Sequence, residues 1–164
     1  MINREKRQLY LKNLSDKNIK LIENLDKSIQ KIILSILYLG EGAKHKSTPF
    51  LALANSNPEI IKLFIKLLKN CYNIDESKFR VRIQCRFDQK TKEVKKFWHK
   101  VTGIGLNQFY PTYIDVRTAG KPTKRKEYKG VCTVQYFNTA IQLELELLSG
   151  AIIDKIINEN GPIV

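Results

Sequence analysis

A chain of 164 residues with 43% hydrophobic content is long enough for one domain with a real core and too short for two comfortable ones. Twenty-nine Lys and Arg against 16 Asp and Glu leave a net charge of +13, a surplus that repels itself and favours a polyanionic partner. No apolar run approaches the ~20 residues needed to cross a bilayer, so nucleic acid is the expected polyanion and a membrane is excluded.

The first residues, MINREKRQLY, are basic and lack the apolar segment of a secretory signal. Residues 1–28 read as an N-terminal helical arm, in which Ser15 and Asp16 are candidate N-caps for a second helical stretch. Ile19, Ile22, Leu25 and Ile29 recur every three or four residues, and the pattern runs on into Ile32, Ile33, Ile36 and Leu37 with a break expected near Asp26 to Ser28. From Lys31 onward the helix is apolar on most faces and should be central. It ends in Gly40-Glu41-Gly42, a carboxylate between two glycines. The helix dipole is negative at that end, so a cation should compensate Glu41.

Residues 49–55 read as a short strand, and Asn57-Pro58-Glu59 as a helix start with cap, proline and first-turn acid. The stretch 79–87 alternates: Val81, Ile83, Cys85 and Phe87 face one way, Arg80, Arg82, Gln84 and Arg86 the other. A helix over about 90–102 follows, with Val94, Phe97, Trp98 and Val101 inward, ended by Gly103 and Gly105. Strands at 113–117 and 129–136 flank the basic loop AGKPTKRKEYKG, and a last helix over 138–149 is followed by a tail at 151–164. The expected fold is α+β, with helices on one face of a mostly antiparallel sheet. Cys71, Cys85 and Cys132 are widely spaced and odd in number, as reduced core residues of a cytoplasmic protein would be.

LSILYLGEG at 34–42 resembles the signature helix of LAGLIDADG homing endonucleases, in the variant ending GEG. Leu34 and Ser35 match the motif's opening pair, Leu37 its second leucine, Gly40 its second small residue, Glu41 its metal-binding acid and Gly42 its last glycine. YLGEGAK, ANSNPEIIKLFIKLL and FWHKVTG extend the resemblance to compact bacterial relatives with YWGEGxK, over about residues 30–150. Two positions depart from the motif: Ile36 replaces its first glycine and Leu39 its middle acid. The resemblance implies a saddle-shaped domain at 29–150 in which two motif helices pack together and each delivers one acid to bound Mg2+ between scissile phosphates. A single motif implies a homodimer, with Ser35, Ile36, Leu39 and Gly40 at the contact and pseudo-palindromic half-sites.

Glu41 is thus the candidate catalytic and metal-binding residue, its plainer reading being a solvated carboxylate bound by Lys44. Lys44 could neutralise charge developing on a phosphate, Lys46 could contact one, and His45 could act as a base. Arg80, Arg82, Gln84 and Arg86 are candidate DNA readers, because arginine matches guanine and glutamine matches adenine in bidentate geometry. Thr133 and Gln135 extend that surface, and Lys121, Lys124, Arg125, Lys126 and Lys129 would clamp phosphates. P-loop, GxGxxG, HExxH and paired-cysteine zinc motifs are all missing. A homodimeric, magnesium-dependent DNA endonuclease, at the nucleoid if the source is bacterial or archaeal, is the leading expectation. A DNA-binding regulator without cleavage and an RNA-binding or splicing-assisting protein are the alternatives.

Overall fold

A computed structural model describes residues 2–43, 49–125 and 127–158. It contains five α-helices and four strands in the order α1 (Ile2–Leu21), α2 (Lys27–Glu41), β1 (Leu51–Asn55), α3 (Pro58–Cys71), β2 (Phe79–Arg86), α4 (Thr91–Thr102), β3 (Tyr113–Asp115), β4 (Val131–Tyr136) and α5 (Thr139–Asn158). The sheet runs β1-β4-β2-β3. Both pairings of β4 are antiparallel and the β2–β3 pair is parallel, joined by the crossover that contains α4. The fold is α+β, as the pattern of elements predicts.

The break near Asp26 is a helix start: Asp26 caps α2, its side chain accepting from the Ile29 amide at 2.8 Å. A cap of this kind contributes about 1 kcal/mol. Asn57 caps α3 in the same way, with Pro58 in the first turn. Ser15 and Asp16 cap nothing, because α1 runs through them without interruption. The residues after 150 likewise continue α5 to Asn158.

Strand β2 shows why period-two sequence makes a half-buried strand. Phe79, Val81, Ile83 and Cys85 are buried, and with Leu51, Leu53, Cys132 and Val134 they form the sheet's share of the core. Leu34 and Tyr38 of α2, Phe64 and Leu68 of α3, Trp98 of α4 and Leu145 of α5 cover them. Trp98 is wholly buried, and its Nε1 donates to the Lys129 carbonyl at 2.7 Å, which satisfies the indole and anchors the end of the basic loop. Phe87, expected on the inner face, is 57% exposed because β2 ends one residue earlier. The three cysteines are free and buried, and burial pushes the Cys132 thiol up to about 12.

The other sheet face is left to solvent. The register aligns Gln135 with Arg80, Thr133 with Arg82, Val131 with Gln84 and, on the far edge, Tyr113 with Gln84 and Asp115 with Arg86. Helix α1 stands off the domain, every described side chain from Asn3 to Leu21 being exposed.

Candidate nucleic-acid interface

Helix α2 delivers Glu41 to the edge of the sheet. The Gly42 amide donates to the Tyr38 carbonyl at 2.8 Å, closing the helix, and Gly42 then bridges Leu53 while the Ala43 amide donates to the Ala52 carbonyl at 2.8 Å. The chain therefore passes from helix to an edge rung beside β1 with no intervening loop. That passage needs glycine: a Cβ at Gly42 would lie 2.4 Å from Tyr38 Cδ2 and 2.4 Å from the Tyr38 oxygen. Its φ of −78° is open to any residue, so close approach and not dihedral freedom is the requirement.

Glu41 is exposed, and among the described residues its only hydrogen bond is from Asn55 Nδ2 to Oε2 at 2.9 Å. Asn55 is itself fixed, because its Oδ1 accepts the Asn57 amide at 2.8 Å in the turn before α3. Sequence reasoning missed Asn55; a polar residue ending an apolar strand was the available signal. Lys44, His45 and Lys46 lie outside the described residues. Among the described residues no group of three or more His, Cys, Asp or Glu side chains could hold a metal ion.

The outward stripe of α2 is Ile29, Ile32, Ile36 and Gly40, with Ile36 42% exposed and open space where a Gly40 Cβ would point. Leu39 is half-buried beside it. Ser35 does not belong to this stripe. It is fully buried, its hydroxyl donating to the Ile32 carbonyl at 2.8 Å, because a helix turns neighbouring residues ~100° apart and the core takes Leu34, Ser35 and Tyr38.

On the open sheet face, the four polar residues of β2 do different work. Arg82 and Gln84 are exposed, and the Arg82 guanidinium sits 5.3 Å from the centre of the Tyr110 ring. Arg80 folds back instead, one guanidinium nitrogen donating to the Ser77 and Phe79 carbonyls at 2.7 Å each. Gln135 is only 9% exposed between Ala52 and Arg80, so it supports the face and does not present itself to a ligand. Asp115 brings an acid to the edge, where the Arg117 guanidinium engages both its oxygens at 2.8 and 2.9 Å and holds its carboxyl below the usual carboxylate range. Arg82, Gln84, Tyr110, Tyr113 and Thr133 line a depression of about 540 Å³. Asn55 and Ile83 both align with Cys132 across β4, so Asn55 is two strands or ~10 Å from β2 at ordinary strand spacing and shares the core-facing parity of Ile83, opposite to that of Arg82 and Gln84.

Arg86 leads from the sheet into the basic loop, donating to the Lys121 carbonyl. The turn after β2 bolts that loop down: Asp88 accepts the Thr123 amide at 2.6 Å and the Thr123 hydroxyl at 2.8 Å, and Gln89 Nε2 donates to the Tyr128 carbonyl at 2.7 Å. The Thr123 donors hold the Asp88 carboxyl below its ordinary range. Arg86, Lys121, Lys124, Arg125, Pro122 and Tyr128 surround a concavity of about 690 Å³ that carries four cationic side chains. Lys126 lies outside the described residues. Lys129 is half-buried, and its carbonyl takes the Trp98 indole. Among the described residues no helix is long and apolar enough to cross a membrane. No family model, curated protein or solved structure matches the chain.

Proposed function

We propose that this chain is a DNA-binding protein that pairs as a homodimer and hydrolyses phosphodiester bonds with a divalent cation, magnesium, held at Glu41. One observation carries the reading. The Glu41 carboxylate is exposed, oriented by Asn55 at the end of edge strand β1, and set beside the partly exposed Ile36–Gly40 stripe, with Arg82 and Gln84 two strands away on the opposite face of the sheet.

The residues suit such a cation. Magnesium takes oxygen ligands and keeps several waters, so it needs one or two carboxylates and phosphate oxygens in place of a full protein cage. Asn55 occupies one Glu41 oxygen and leaves the other to a ligand, and a second copy would supply a second Glu41. Bound there, the cation would polarise the phosphodiester and activate water. Asn55 orients the carboxylate, Arg82 and Gln84 meet base edges, and Arg86, Lys121, Lys124 and Arg125 take the backbone.

The test is Glu41→Gln. Wild type should nick members of a randomised duplex library with magnesium or manganese, and the variant should lose nicking while holding duplex affinity within about threefold, a difference under ~1 kcal/mol. Duplex binding without cleavage by wild type would leave a regulator. Preference for structured RNA at matched salt would move the function to RNA.

A further inference from the structure

We propose that the open face of the sheet takes an unpaired nucleotide along β2, its base in the depression beside Tyr110 and Tyr113 and its phosphate in the concavity beyond Arg86. The depression has two chemically different sides. Strands β2 and β4 supply Arg82, Gln84 and Thr133, all able to hydrogen-bond a base edge. The segment entering β3 supplies Tyr110 and Tyr113, and Tyr113 is 53% exposed. Both tyrosines sit on fixed backbone: the Tyr110 amide donates to the Val81 carbonyl at 2.9 Å, and Tyr113 aligns with Gln84 across the parallel pair. Polar groups on one side and aromatic rings on the other suit one planar, polar-edged ring, and a volume of about 540 Å³ admits it. A paired base is stacked on both faces and offers only its edge in a groove. An unpaired base brings its face to the tyrosines and its edge to the amide.

Spacing and charge add the phosphate. Arg86 has the parity of Arg82 and Gln84 and lies two residues, ~7 Å, past Gln84 along the strand, an interval that one sugar–phosphate unit spans. Arg86 itself is committed to the loop, donating to the Lys121 carbonyl with Asp88 4.0 Å from its Nε. Lys121, Lys124 and Arg125 border the same concavity and have no ion pair among the described residues. The acids nearby are occupied or turned elsewhere. Asp88 is held by Thr123 and Asp115 by Arg117, while Glu127, the loop's own acid, is not among the residues around the concavity. Gln84 is also among the donors that keep the Asp115 carboxyl low, a contact that orients its amide and leaves the carbonyl oxygen and second N–H for a base. The inference rests on the proposed function only in setting nucleic acid on this face. It needs neither Glu41, which anchors on the opposite parity, nor a second copy, nor cleavage.

The experiment is fluorescence anisotropy on the full-length protein at fixed salt, without divalent cation, comparing a fully paired DNA duplex with the same duplex carrying one unpaired adenosine. The unpaired base should tighten binding on the order of tenfold, the scale of one stacked base. An abasic residue at that position should remove the gain. Tyr113→Ala should remove it too while holding paired-duplex affinity within about twofold, and Tyr113→Phe should keep it, because the ring remains. Lys124→Gln combined with Arg125→Gln should flatten the salt dependence of binding to the bulged duplex by up to about two units of slope. Equal affinity for the two duplexes, a gain that survives the abasic residue or Tyr113→Ala, or an unchanged salt slope would each overturn the track. The same bulge in an RNA duplex separates the sources. Paired-duplex binding without any bulge gain removes the track and keeps the proposed function, whereas a gain confined to RNA keeps the track and removes the DNA reading.

Discussion

Gly40→Ala separates a lone chain from a paired one because the two states give its methyl group opposite signs. Gly40 lies in the last turn of α2, and its Cβ would meet nothing within 4 Å. In a single chain the substitution only lowers the entropy cost of a helical glycine, a gain of up to ~1 kcal/mol. For a domain of this size that is a rise in midpoint of about 2–4 °C. In a dimer packed through Ile36 and Gly40 the same methyl enters a closed contact from each side of the two-fold axis. Overpacking of that kind costs about 1–3 kcal/mol, a loss of roughly 5- to 150-fold in association. Thermal unfolding at submicromolar protein should therefore show a more stable variant, while sedimentation equilibrium over a concentration series shows a weaker dimer. Gly40→Leu should exaggerate the second effect. If both variants associate like wild type, or wild type stays monomeric throughout, the α2 stripe is not the pairing surface.

Arg82→Ala should weaken binding to a preferred duplex by about 1–3 kcal/mol at fixed salt and cost less than ~1 kcal/mol of stability, since Arg82 is exposed and its guanidinium rests 5.3 Å from the centre of the Tyr110 ring. Unchanged affinity in a titration would remove β2 from the interface. Gly42→Ala should destabilise by about 1–3 kcal/mol, because the new Cβ would sit 2.4 Å from a backbone oxygen that cannot swing away; an unshifted urea midpoint would refute the close-approach argument. For Asp88 the folded carboxyl titrates below its unfolded value of about 3.9, so its ionised form favours the closed loop above that value and the benefit disappears as pH falls through the lower folded one. Asp88→Asn should remove that acid-range step and speed Thr123 amide exchange at neutral pH, and identical exchange in the variant would show that the loop is held by something else.

What could be read ahead of the structure is what depends on one element at a time. The alternation from Phe79 to Cys85 needs only a strand with one buried face, and Asn57-Pro58 caps α3 through groups within three residues. The exposure of Arg82 and Gln84 follows from the same alternation. What escaped depends on which elements become neighbours. Asn55 meets Glu41 only because the chain leaves α2 directly into an edge rung, and Arg80 turns back to carbonyls near its own strand's start although it shares the parity of Arg82. Gln135 is covered because β4 lies between two other strands, a position that no property of VQY reveals.

Helix α2 is the instructive case, because its apolar residues extend beyond the arc that the core covers. Reading the motif alone puts Ser35 and Ile36 on one contact, yet adjacent helical residues are ~100° apart and cannot both lie at its centre. Once the core takes Leu34, Ser35 and Tyr38, the residues left over are Ile29, Ile32 and Ile36, followed by a glycine with nothing over it. Three isoleucines in register, each about two-fifths exposed, leave an apolar edge on a central helix. A stripe of that kind, ending one residue short of an oriented carboxylate, is the surface the proposed pairing would cover, and it is on this leftover stripe, more than on the motif's letters, that the proposal of two Glu41 side chains at one junction rests.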